Sequence, residues 1–278
     1  MKIAFSRKGF DSAAGGVPNP IINGHPRPLP IPTRMPTPIR YVDLPAGVAE
    51  LVSDLTRGRI SGDRPCHLDP DIEATSLARQ PGWRGALGQV SAAQSHLSNT
   101  GVGPGDVFLF WGLYRQATRN HSGSWVFTGR AEHRLFGWLQ IDEILGVGGK
   151  PTAVLKRHPW LASHPHLAAG WPENNTVYVA RQRLGLPGRV VDLPGYGVLG
   201  RGLRLTAAAS TQPSLWAVPP WLDVHRGGTG MTYHPLERWN PDGTLRSAAR
   251  GQEFIADIGE RQDAVEWLLR VLEEKAEV

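Results

Sequence analysis

Cysteine is almost missing from this chain. Cys66 stands alone among 278 residues, which excludes a disulfide framework and a cysteine-rich zinc site. No run approaches the roughly 18 apolar residues that a membrane span needs. The N-terminal MKIAFSRKGF, a short strand with charges directly behind it, has no signal-peptide pattern. A reduced, cytoplasmic protein without membrane contact is therefore expected. Lysine is scarce too, confined to Lys2, Lys8, Lys150, Lys156 and Lys275. Walker, nucleophile-elbow, kinase and Rossmann signatures are all absent. Gly146-Val147-Gly148-Gly149-Lys150 has neither the Walker spacing nor the following Ser/Thr, and reads as a connection.

What remains is an ordinary globular balance, 40% hydrophobic and 20% charged. With no internal repeat and no dividing linker, residues 1–278 read as a single domain long enough to bury a core. The net charge of +5 and the pI near 9.6 rest almost wholly on arginine. Its planar fork of donors suits phosphate oxygens and guanine edges, although a GC-rich genome also favours arginine codons. Ten tryptophans against seven phenylalanines supply rings suited to stacking on flat partners or to filling a core.

Two aromatic-rich strands, Val107–Tyr114 and Leu135–Ile144, flank a polar stretch read as a loop of about twenty residues, longer than an ordinary hairpin loop. Alternation places Phe108, Phe110 and Gly112 on one face of the first strand, opposite Val107, Leu109, Trp111 and Leu113. In the second, Leu135, Gly137, Leu139 and Ile141 oppose Phe136, Trp138, Gln140 and Asp142. Further strands are expected at Lys2–Phe5, Thr176–Ala180, around Leu203–Ala207 and at Gln252–Ile258, with helices at Val48–Leu55, Val90–Leu97 and Glu260–Glu274. The last carries an apolar stripe of Ala264, Trp267, Leu268, Val271 and Leu272 that should dock on the sheet. Between Gly15 and Pro38, a dense series of prolines works against regular structure. The fold class is α+β: one mixed domain with a small barrel or strongly twisted sheet, long loops and a C-terminal helix.

Reactive groups cluster at the turn Ser6-Arg7-Lys8-Gly9-Phe10-Asp11. Asp11 beside two cations would stay ionised and could stabilise a sugar cation or activate water; capping a turn is its alternative role. Glu253, at a strand start following Arg250-Gly251-Gln252, is the second carboxylate candidate. Lys8 could contact phosphate or attack an anomeric carbon as an amine. His67, Asp69 and Asp71 lack a metal-site spacing, so turn formation is their preferred role, and His164-Pro165-His166 has no evident third ligand. Neither a metal nor a cofactor is expected.

The opening Gly105-Asp106, the aromatic strand and Phe136-Gly137-Trp138 resemble the small barrels of the PUA, ASCH and EVE group, with residues 103–180 as the corresponding region. Those barrels hold a nucleobase or modified nucleotide. Over nearly the whole chain, FSRKGFDSAAGG (5–16), CHLDPD (66–71), GDVFLFWGLYR (105–115), HRLFGWLQI (133–141), NTVYVA (175–180), PSLWAVPPWL (213–222) and GQEFIAD (251–257) resemble a bacterial family of nucleotide-modification-associated domains, the third of its type. The resemblance implies making, reading or attacking modified bases in DNA, often in conflict with phage. It carries over no catalytic residues. The chemistry of the residues suggests a DNA glycosylase acting on a modified base, with Trp111, Tyr114, Trp138 and Gln140 around an extruded base. Arg7, Arg115, Arg130 and Arg134 would hold the backbone of the DNA partner. A non-catalytic reader and an enzyme of modified-nucleotide synthesis are the alternatives.

Overall fold

One hairpin organises the chain. Its arms, Val107–Arg119 and Trp125–Gly146, run antiparallel along nearly their whole length in the computed structural model, which describes residues 1–35, 37–189, 191–249 and 253–275. The stretch read as a long loop is therefore mostly strand. Only Asn120–Ser124 turns, with the Asn120 carboxamide oxygen accepting from the Ser122 and Ser124 N–H groups. Polar residues suit this distal ribbon because much of it faces water. Ala117, Trp125 and Phe127 still pack against the helix Val48–Leu55.

The sheet grows on both sides of the hairpin. Lys2–Arg7 joins the first arm in parallel and Glu253–Asp257 lies antiparallel outside it; Thr176–Ala180 and Ala86–Gln89 follow the second arm. Tyr196–Arg204 branches off that arm, and Asn19–Ile22, out of the proline-dense segment, adds in parallel to the far half of the first. Asn19 permits this: its side chain bonds the Phe10 and Leu29 N–H groups and the Phe10 and Leu113 carbonyls. Among the described residues the sheet has nine strands and mixed α/β surroundings.

Its path begins at Glu253–Asp257 and ends at Ala86–Gln89, yet these two edges meet, because Gln89 Nε2 donates to Glu253 Oε1. The sheet is thus curled into a trough whose backbone ladder stays open. The expected barrel is corrected to this extent: a strongly bent sheet is present, and no closed barrel exists among the described residues. The helix Ser91–Asn99 bridges the gap, with Gln94 accepting from Tyr178 at 3.0 Å and His96 bonding Thr232, which in turn pairs with Ile255.

Alternation sorts the side chains. Ala4, Leu87, Phe108, Phe110, Phe136, Leu139, Tyr178 and Ile255 fill the inside of the trough. Ile3, Phe5, Val107, Leu109, Trp111, Leu135 and Trp138 face outward onto the helix Gln262–Lys275, which docks through Ala264, Leu268, Val271 and Leu272 as its stripe predicted. The second arm departs from simple alternation. Its register skips Phe136, since Phe110 opposes Gly137 while Trp111 opposes Leu135. This bulge sends Leu135 outward and Leu139 inward, where strict alternation had put them on one face.

Gln252, the start of the expected last strand, lies outside the described residues, as do Pro36, Arg250 and Gly251. No helix among those described is long and apolar enough to cross a membrane.

Two enclosed histidines, one buried and one partly so, must be neutral to keep their partners. His133 Nδ1 accepts from Trp216 Nε1 (2.9 Å), and His234 accepts from the Ala248 N–H (3.0 Å) while facing the Thr232 carbonyl with its other nitrogen. Burial pushes them down to about 3 and about 4 respectively. Since the unfolded chain takes up protons near pH 6.5 and the native state does not, stability is full above that value and is lost as pH falls toward 3–4. Each ring forfeits ~1.36 kcal/mol for every pH unit below 6.5. Urea denaturation should therefore show a loss of about 2–3 kcal/mol between pH 7 and 5.5; a flat profile refutes the requirement.

Candidate functional site

The strand Lys2–Arg7 and the turn behind it divide their polar residues by alternation. Ser6 follows inward-facing Ala4 into the trough, and Arg7 follows outward-facing Phe5. Ser6 Oγ (2.9 Å), Lys8 Nζ (3.3 Å) and Gln89 Nε2 all donate to Oε1 of Glu253, which is 1% exposed. Its other oxygen, Oε2, is buried and has no hydrogen-bond partner among the described residues. Burial pushes the Glu253 carboxyl up; the charge of Lys8 and the hydrogen bonds of Ser6 and Lys8 counter this only in part, and Asp69 adds to the rise.

Asp69 is the second buried carboxylate of this region. The strand Ala86–Gln89 binds both acids through consecutive residues, as the Gly88 N–H donates to Asp69 Oδ1 at 2.7 Å and the Gln89 side chain holds Glu253. His164 Nε2 points at Oδ1 from 3.5 Å, while His67 and His166 Nε2 face Oδ2 from 3.8 and 3.9 Å. Burial alone would push Asp69 up, but the facing rings of His164, His67 and His166 outweigh it and hold the carboxyl well below the usual range. The two acids are thus driven in opposite directions, an arrangement that separates a proton carrier from a fixed anion.

A cavity of about 560 Å³ adjoins Asp69, within the size range of small-ligand sites. Gly9, Leu68, Asp69, Pro70 and Phe136 are in its wall. Glu253 is not; its partner Lys8 directly precedes Gly9.

The residues singled out from the sequence are distributed unevenly around this centre. Lys8 and Glu253 come together. Asp11 does not join them: it pairs with Arg7 at 2.7 Å on the outer side and accepts the Ala13 and Ala14 N–H groups, a turn-capping role. Trp111 is fully buried against Trp216, Phe254 and His133. Trp138 is equally enclosed and donates to the Pro194 carbonyl. The glycines beside them admit protein rather than a ligand, as a Cβ on Gly112 would meet the Lys8 carbonyl at 2.7 Å and one on Gly137 would collide with Ile72. Tyr114 is buried inside the trough with Phe136, and Gln140 ties Gly105 to Gly185. None of these four presents an open face to a base.

Among the arginines, Arg7 is engaged by Asp11, Arg134 by Glu132 and the Arg201 carbonyl, and Arg115 by the Gly129 carbonyl, whereas Arg130 is exposed. Asp71 is taken up by Arg79 through two hydrogen bonds of 2.6 and 2.7 Å.

The sequence profile of nucleotide modification associated domain 3 matches residues 2–257, a span that holds every residue of this centre. The chain belongs to that family. Among curated proteins and among solved structures, none matches it. Gln89 is the member of the site that sequence reasoning passed over; Asp69, His164 and His166 were weighed as metal ligands and set aside for want of a matching spacing or a third ligand, and Ser6 was named only as the start of the reactive turn. The segment CHLDPD was part of the family resemblance, and that was the available signal for Asp69. Gln89 stands in unremarkable strand sequence and carries none.

Proposed function

We propose that this member of the nucleotide modification associated domain 3 family is a DNA glycosylase that removes a modified base, with Glu253 as its general base. The observation that supports the reading is the state of the Glu253 carboxylate: one oxygen anchored by three donors, the other unengaged among the described residues, inside a low-dielectric enclosure. An anchored, partly desolvated carboxylate with raised proton affinity suits proton transfer near neutral pH. In the proposed step, water attacks C1′ of the nucleotide while the C1′–N bond breaks. Oε2 takes the water proton, the bonding pair leaves with the base, and the proton passes on to the departing nitrogen. Lys8 balances the charge of Glu253 and keeps it oriented.

DNA is the proposed partner, approached through exposed cations such as Arg130, and the cytoplasm the proposed place of action. Since base modification shields phage and host DNA from each other's nucleases, the reading also places the chain in phage defence.

The test is to incubate the protein with modified and unmodified phage DNA and assay free base and abasic sites. Release from modified DNA alone is expected, with binding that weakens with salt by a slope of ~−0.9 per neutralised phosphate. Selective binding without release would make the protein a reader. Binding of free nucleotides with no affinity for DNA would point to modified-nucleotide synthesis.

A further inference from the structure

The geometry points to a binding site for a divalent transition-metal cation formed by His67, Asp69 and His166. Donor atoms of these three side chains lie within 4.8 Å of one another. Asp69 Oδ2 is the shared vertex, 3.8 Å from His67 Nε2 and 3.9 Å from His166 Nε2. Such separations are too long for hydrogen bonds. They are close to what a cation requires, because metal–ligand bonds of about 2.0–2.2 Å put tetrahedral donors roughly 3.3–3.6 Å apart. Drawing the three donors together around an ion would complete the set.

The surroundings hold each donor ready. Asn175, 1% exposed, donates from Nδ2 to the His166 carbonyl at 2.7 Å, so its Oδ1 must accept from His166 Nδ1 at 2.6 Å. That fixes the proton on Nδ1 and leaves the Nε2 lone pair toward Asp69. The ring of His166 is also buried. Its plane is clamped, stacked on Trp171 at 4.4 Å on one side and pressed so closely on Gly88 that a Cβ there would collide with the ring. The other carboxylate oxygen of Asp69 is already committed to the Gly88 N–H and faces His164, which steers Oδ2 toward the two imidazoles. His164 accepts the His166 N–H through Nδ1, so its proton sits on the nitrogen that points at Asp69.

Two imidazoles and one carboxylate suit Zn²⁺ or Fe²⁺ rather than Ca²⁺ or Mg²⁺. Three protein donors leave coordination positions open, and Asp69 is part of the cavity wall. A bound water there would gain the acidity that such ions confer. Metal binding stands apart from the reaction proposed above, since it is read without substrate.

The experiment is a calorimetric titration of Zn²⁺ into chelator-treated full-length protein at pH 7.5. One ion per chain is expected. Asp69→Asn and His166→Gln should each lower affinity at least 100-fold, and Asn175→Ala, which removes no donor, by ~10–100-fold. Histidine-ring ¹⁵N spectra of the wild type give a readout that does not depend on variants folding. Zn²⁺ should move two Nε2 resonances while one of those rings keeps its Nδ1 proton. No saturable binding by the wild type, no movement of the ring-nitrogen resonances, or undiminished affinity in folded His166→Gln would each overturn the site.

Discussion

Glu253→Gln is expected to lower base release by roughly two or more orders of magnitude, on the scale seen for preorganised polar groups in other enzymes, while DNA binding persists. The amide keeps an oxygen to accept from Ser6 and Gln89 but has no basicity where Oε2 stood. Lys8 loses its counter-charge in this variant, and an uncompensated buried cation destabilises. The double variant Lys8→Met/Glu253→Gln removes both charges together and separates lost chemistry from lost folding. Rate measurements on modified DNA, paired with thermal melting, check the result. Release at the wild-type rate by folded Glu253→Gln would end the assignment.

Trp111→Ala carries the largest expected effect on stability, about 3–5 kcal/mol, the usual cost of emptying a buried tryptophan site. Its ring touches Trp216, Phe254 and His133 at once, between the sheet and the C-terminal region, and no neighbour can collapse into the space without leaving its own contacts. Chemical denaturation measures the loss. Modified-base discrimination per folded molecule should be unchanged. A variant of near-native stability that fails to discriminate bases would return Trp111 to a stacking role.

The architecture was legible wherever one period governed a segment. The helix Val48–Leu55 and the strand Thr176–Ala180 match their sequence readings residue for residue, and the final helix docks through its predicted stripe. The distal half of the hairpin was missed because its few apolar residues, among them Ala117, Trp125 and Phe127, are scattered among polar ones, which reads as a loop until a partner strand is known. The bulge at Phe136 was hidden for a similar reason, since nothing local distinguishes it from the next apolar position. The site was half legible. Lys8 and Glu253 were named for their chemistry, but their pairing needs the two ends of the chain to lie side by side as Lys2–Arg7 and Glu253–Asp257. Asp11 looked the better acid because Arg7 and Lys8 stand next to it in sequence, and strand alternation separates those two cations onto opposite faces. His67 and His166 could not be matched from spacing because their meeting point is Asp69 against the Gly88 edge.

The open ladder of the sheet has a mechanical consequence. Where Ala86–Gln89 approaches Glu253–Asp257, the junction depends on a side-chain clasp rather than on strand pairing. Spreading it breaks a few side-chain hydrogen bonds, each of modest net value, and leaves every backbone ladder whole. The trough therefore behaves as a spring clip with its catch at Gln89 and Glu253. Protonating or substituting Glu253 loosens the catch, so amide exchange in Ala86–Gln89 and in the bridging helix Ser91–Asn99 should respond first. The protonation state of that carboxylate and the breathing of the whole sheet are, by this construction, one coupled event.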